Sequence, residues 1–117
     1  MQILVVDDDP GVRQLVAMTL ASEGWMVRTA ADGRMALDEV RQRAFDAIVL
    51  DLQMPVMDGR AFYRALRGLS SDVPVLLLSA YEGRSAQREL GADDALDKPF
   101  DPFVLIERLR KLTAASA

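Results

Sequence analysis

With 117 residues, half of them hydrophobic, the chain is sized for one domain that buries about two-thirds of its unfolded surface. It has no cysteine and no histidine, which excludes disulfides, thiolate catalysis, zinc–cysteine sites and the commonest general base. The net charge of −4 argues against direct nucleic-acid binding, which needs a basic face.

Ile3-Leu4-Val5-Val6 reads as a buried strand that stops at Asp7-Asp8-Asp9. Asp9 is suited to cap a helix that Pro10 starts, and Val12, Leu15, Val16, Thr19 and Leu20 keep helical spacing to about Glu23, where Gly24 stops it. That structural use accounts for Asp9 and leaves the adjacency of Asp7 and Asp8 unexplained. Trp25 to Ala30 predicts a weaker strand at a sheet edge, and Asp32-Gly33 opens a helix that turns Ala36, Leu37 and Val40 inward.

The stretch 44–59 is the one around which the rest is arranged. Ala47-Ile48-Val49-Leu50 predicts a central strand, and it ends at a charge, Asp51, before the turn-formers Pro55, Asp58 and Gly59. A third helix follows from about Asp58 to Arg67, then a strand from Val73 to Leu78 ending at Ser79-Ala80. Residues 83–90 predict a short polar helix closed by Gly91, and Ala95-Leu96-Asp97 a last strand ending at Lys98-Pro99. Asp101 and Pro102 open a final helix with Leu105, Ile106, Leu109 and Leu112 inward, and residues 112–117 read as a frayed end or the start of a linker.

Strands alternating with helices imply right-handed crossovers and a parallel sheet. The expected fold is α/β, a doubly wound five-stranded parallel sheet of order 2-1-3-4-5 with five helices, a flavodoxin-like three-layer sandwich in a single domain spanning 1–117. No apolar run approaches the ~18 residues of a membrane span, and no signal core precedes the first strand, so a cytoplasmic location without membrane contact is expected.

Four strand ends therefore carry Asp7 and Asp8, Asp51, Ser79 and Lys98. A lone aspartate at a strand end is ordinarily a solvated residue, a lone serine a backbone cap and a lone lysine a surface charge. In the expected strand order, however, the first and third strands are neighbours at the switch point where open α/β sheets bind ligands. Three crowded carboxylates need a cation, and an all-oxygen donor set without His or Cys suits Mg²⁺, with Mn²⁺ as a substitute. A metal, an ammonium and a hydroxyl around one carboxylate form a cradle for a phosphoryl group, with Asp51 as nucleophile.

Val-Asp-Asp-Asp at 6–9, Leu-Asp-Leu-Gln-Met-Pro-Val-Met-Asp-Gly at 50–59, Leu-Ser-Ala at 78–80, Gly-Ala-Asp-Asp at 91–94 and Lys-Pro-Phe at 98–100 resemble the receiver domain of bacterial two-component response regulators. The resemblance runs through the whole chain in order. It implies a signalling switch rather than a turnover enzyme, taking a phosphoryl group from the phosphohistidine of a sensor kinase or histidine phosphotransfer protein. It makes Asp51 the phosphoacceptor and gives the metal to Asp8, Asp51 and the backbone carbonyl of Gln53, with Asp7 acting through water. It makes Ser79 the switch hydroxyl, lets Ser79, Ala80 and Lys98 hold the phosphoryl oxygens, and implies a cis Lys98–Pro99 bond. Output is expected through the 79–111 surface. The family usually carries an aromatic residue at the place of Ala95, so Tyr81 is expected to take over as the reporter. Arg84, Arg88, Glu107, Arg108 and Lys111 form the surface expected to serve partners or self-association.

Three other readings compete. A haloacid-dehalogenase-type phosphatase places its nucleophile after the first strand, where Pro10-Gly11 breaks its pattern, and needs room for a cap domain. A flavodoxin-type nucleotide binder needs a Gly- or Ser/Thr-rich loop where three aspartates stand. A receiver-like module that works without phosphorylation is disfavoured by the complete Asp8, Asp51, Ser79 and Lys98 set.

Overall fold

The apolar runs pair into one sheet because the three central strands are too hydrophobic to leave either face in water. The computed structural model describes residues 1–80 and 82–116. Its elements alternate as β1 (Gln2–Val6), α1 (Pro10–Ala21), β2 (Met26–Ala30), α2 (Gly33–Gln42), β3 (Ala47–Asp51), α3 (Gly59–Gly68), β4 (Val75–Ser79), α4 (Gly83–Leu90), β5 (Asp94–Asp97) and α5 (Pro102–Ser116). All strands are parallel, in the order β2-β1-β3-β4-β5. The fold is the expected doubly wound sandwich.

Strand side chains alternate between two cores. Leu4, Val6, Ile48, Leu50, Val75 and Leu77 pack against α2, α3 and α4 through Leu37, Phe62, Leu66 and Ala86. Ile3, Val5, Ala47, Val49, Leu76 and Leu78 pack against α1 and α5 through Val16, Leu20, Leu105 and Leu109. β2 lies at the edge, which is why most of its residues face solvent.

Aspartates mark where four helices begin, each accepting backbone N–H groups: Asp9 from Gly11 and Val12, Asp32 from Met35, Asp58 from Ala61, and Asp101 from Phe103. Some bounds depart from the sequence expectation. α1 stops at Ala21, and Gly24 with φ +81 shapes the turn beyond it. β4 starts at Val75 rather than Val73, because Pro74 has no N–H to give the ladder. Of residues 112–117, expected as a frayed end or linker, 112–116 continue α5 to Ser116, with Thr113 Oγ1 donating back to the Leu109 carbonyl at 2.9 Å, and Ala117 lies outside the described residues.

Among the described residues no helix is long and apolar enough to cross a membrane.

Candidate functional site

Strand register brings the reactive groups to one edge. Val6 lies across from Leu50, so Asp7 and Asp51 leave the sheet side by side. Asp51 pairs with Leu78 and Ser79 pairs with Asp97, one residue before Lys98. Asp7, Asp8 and Asp51 each offer a carboxylate oxygen, and these atoms lie within 4.8 Å of one another. Asp7 is fully buried and Asp51 is 4% exposed, whereas Asp8 faces solvent.

Lys98 ties the two buried acids together, its Nζ 3.0 Å from Asp7 Oδ2 and 3.4 Å from Asp51 Oδ1. Asp7 is engaged on every side: Oδ1 accepts from the Asp9 N–H at 2.9 Å, Oδ2 from Lys98, and its own N–H donates to the Ala30 carbonyl. Among the described residues, Asp51 accepts a long bond from the Gln53 N–H at 3.4 Å besides Lys98. Burial, followed by the charge of Asp7, pushes Asp51 up to about 6, against the opposing pull of Lys98 and Gln53. For Lys98, burial alone would lower its pKa, but the bond and charge of Asp7 together with Asp51 hold it above its ordinary value. A half-satisfied carboxylate beside two others is suited to a divalent cation, and the all-oxygen donor set fits Mg²⁺.

Gly59 sets how tightly the loop after β3 closes on the site. Its N–H donates to the Leu52 carbonyl at 3.0 Å, and a Cβ there would lie 2.4 Å from the Asp51 carbonyl oxygen. Only glycine permits that approach. Gln53 sits in this loop, exposed, and Val56 holds a left-handed φ of 68° that a β-branched side chain disfavours.

Ser79 is buried, and its Oγ accepts from the Glu82 N–H at 2.9 Å, at the start of α4. Glu82, at the N-cap of α4, makes no side-chain capping bond, and Ser79 takes up the Glu82 backbone N–H instead. Ala80 follows it at the exposed surface. The Lys98–Pro99 bond is cis. Tyr81, expected as the reporter, lies outside the described residues.

Ala95 is 2% exposed, and the first turn of α4 packs closely against it through Gly83. A Cβ on Gly83 would lie 3.3 Å from Ala95 Cβ, 3.3 Å from Asp97 Oδ1 and 3.8 Å from Ser79 Cβ. The glycine therefore rests directly on the ends of β4 and β5. Ala95→Tyr is expected to lift α4 and cost about 1–3 kcal/mol by overpacking, read as a lower urea midpoint. An unchanged midpoint would mean that α4 does not pack closely against Ala95.

Sequence reading missed Gly83, whose role depends on the β4–β5 register, and Arg13, whose reach to the acid cluster depends on how α1 leaves β1. Its only sequence signal is a cation five residues after Asp8.

The sequence profile described as the response regulator receiver domain matches residues 3–110. Among curated proteins, the response regulator MprA of Mycolicibacterium vanbaalenii is 44% identical over 95% of this chain and 49% of its own length, and MprA of Mycobacterium tuberculosis is 44% identical over 95% and 50%. The chain thus spans about half the length of these relatives. Among solved structures, the chemotaxis protein CheY4 of Vibrio cholerae is 39% identical with a TM-score of 0.87, covering 95% of this chain and 97% of that one. The Francisella response regulator 1452 receiver domain is 33% identical with a TM-score of 0.92, covering 99% and 98%.

Proposed function

Because this chain belongs to the family of response regulator receiver domains, the signalling domains of two-component systems, we propose that it accepts a phosphoryl group on Asp51 from a partner's phosphohistidine. The observation that supports this reading is the clustering of Asp7, Asp8 and Asp51 at adjoining strand ends with Lys98 bridging two of them. The donor belongs to a sensor histidine kinase or a histidine phosphotransfer protein, and the reaction takes place in the cytoplasm.

In this account a carboxylate oxygen of Asp51 attacks phosphorus, the phosphorus–nitrogen bond of the donor breaks, and the freed imidazole nitrogen takes a proton from solvent. The chain does not turn over an external substrate. Asp8, Asp51 and the Gln53 carbonyl would hold Mg²⁺, or Mn²⁺ in its place, and Asp7 would act through water. The ion supplies positive charge that lets an anionic phosphoryl group approach anionic carboxylates. Lys98 is placed to exchange its bond with Asp51 for the phosphoryl oxygens, and the Ala80 backbone lies at the same rim. Ser79 Oγ, drawn to the phosphoryl group, would release the Glu82 N–H, and Gly83 would pass that displacement to β5 and the 79–111 surface. Self-association through α4 and α5 belongs to the same proposal.

Phosphoramidate, a small donor with a phosphorus–nitrogen bond, tests the reading. With Mg²⁺ present, intact-mass measurement is expected to show one phosphoryl group per chain, and chelation of the metal should prevent it. No adduct, or an adduct formed equally well with the metal chelated, would contradict the proposal.

A further inference from the structure

Asp8 is the exposed member of the acid cluster, and its carboxylate has no hydrogen bond or ion pair among the described residues. With no side-chain partner to hold it, where the carboxylate can reach depends on the backbone that carries it. The peptide that joins it to Asp7 is held at one point by a side chain: Arg13 Nη1, from α1, donates to the Asp7 carbonyl at 2.8 Å. The same short segment is closed by the Asp9 N–H on Asp7 Oδ1 at 2.9 Å and by the Arg13 N–H on the Asp9 carbonyl at 2.9 Å.

The choice of acceptor is unusual for its setting. Arg13 bonds the main-chain carbonyls of Asp7 and Asp9, in a segment that carries three acids at 7 to 9, yet among the described residues it forms no ion pair with a carboxylate. A guanidinium near three acids ordinarily takes a bidentate carboxylate, the stronger interaction. Here it spends a charge-assisted bond on a main-chain carbonyl and leaves the Asp8 carboxylate uncovered.

We propose that Arg13 is a positioning residue for the divalent-cation site, fixing the Asp7–Asp8 peptide so that the Asp8 carboxylate stays within reach of Asp51. The inference rests on the metal reading above. It makes a prediction opposite in sign to simple electrostatics. Removing a positive charge beside a cation site would by Coulomb attraction alone tighten cation binding. Releasing the peptide that aims Asp8 weakens it, and loss of an orienting bond to a ligand ordinarily weakens a metal site by about 10- to 100-fold.

The test is a Mn²⁺ titration of the whole chain, with the free ion read by electron paramagnetic resonance and metal-free melting measured beside it. Arg13→Ala is expected to raise the Mn²⁺ dissociation constant about 10-fold, and Arg13→Lys, which keeps a donor and a charge, to fall between it and the parent. A role in folding alone would lower the melting temperature without changing the affinity of the folded protein. Parent binding with equal or tighter binding by Arg13→Ala overturns this inference and leaves the metal reading intact. If Arg13→Ala does not fold, Arg13→Lys binding as tightly as the parent overturns it. No binding by the parent, or undiminished binding by Asp8→Ala, overturns the metal reading and this inference with it.

Discussion

Lys98→Met is expected to lower the metal-free melting temperature at neutral pH on the order of 10 °C, for a loss of about 3 kcal/mol. The lysine lies 3.0 Å from a fully buried carboxylate and 3.4 Å from one nearly so, and its own side chain is 23% exposed. Methionine keeps the length and the apolar contacts but leaves Asp7 and Asp51 facing each other without a cation. Breaking a buried ion pair from one side is costly because the remaining charge has neither water nor a partner. Two features identify this cause. The loss shrinks as pH falls toward 5, since protonation of a carboxylate removes the repulsion, and added Mg²⁺ restores part of it by mass action. A melting temperature within about 2 °C of the parent at neutral pH would mean that Lys98 does not hold the acids together.

Asp51→Asn works in the opposite direction on stability. The folded protein holds this carboxyl up to about 6 against an ordinary value of 3.8, chiefly through burial and then through Asp7. Between those values the folded chain binds more protons than the unfolded chain, so stability falls as pH rises through that window. The contribution of Asp51 is fully present below its unfolded pKa and lost above its folded one. Asparagine has nearly the same shape and no charge to penalise. Without metal, Asp51→Asn should therefore match the parent near pH 4 and exceed it above pH 7 by on the order of 1–2 kcal/mol, allowing for solvent screening at the open rim. Urea denaturation of both proteins across pH gives the difference curve. A flat curve, or one in which the parent gains with pH, would show that Asp51 is not a destabilised carboxylate.

The architecture was legible because the three central strands are runs of β-branched and aliphatic residues closed by a charge or a turn-former. Ala47 to Leu50 followed by Asp51 is the clearest case. The helix starts were legible for a related reason: Asp9, Asp32, Asp58 and Asp101 are preferred N-cap residues, and Pro10 and Pro102 suit the first helical position. The grouping of Asp7, Asp8 and Asp51 followed from strand order, since only a neighbouring pair of β1 and β3 brings them together.

Less of the site's finer arrangement was legible. Lys98 was expected at the phosphoryl group, but its hold on Asp7 follows from a side-chain reach that no spacing encodes. Ala95 looked in sequence like a missing aromatic. Gly83, twelve residues earlier, lets α4 approach it closely, and only the packing of α4 on β5 shows that. The extension of α5 through residues 112–116 was missed because its last turns carry small residues without an apolar stripe. Ala114 favours helix by propensity, and Thr113 bonds back to the helix it extends.

The most direct measurement of the central claim is the position of the phosphoryl group itself. After reaction with phosphoramidate and Mg²⁺, borohydride reduction converts an aspartyl phosphate to homoserine, and peptide mass spectrometry locates that residue. The expected result is homoserine at position 51 in the parent and no modification in Asp51→Asn. A phosphate carried on Ser79, or an undiminished yield in Asp51→Asn, would contradict the account.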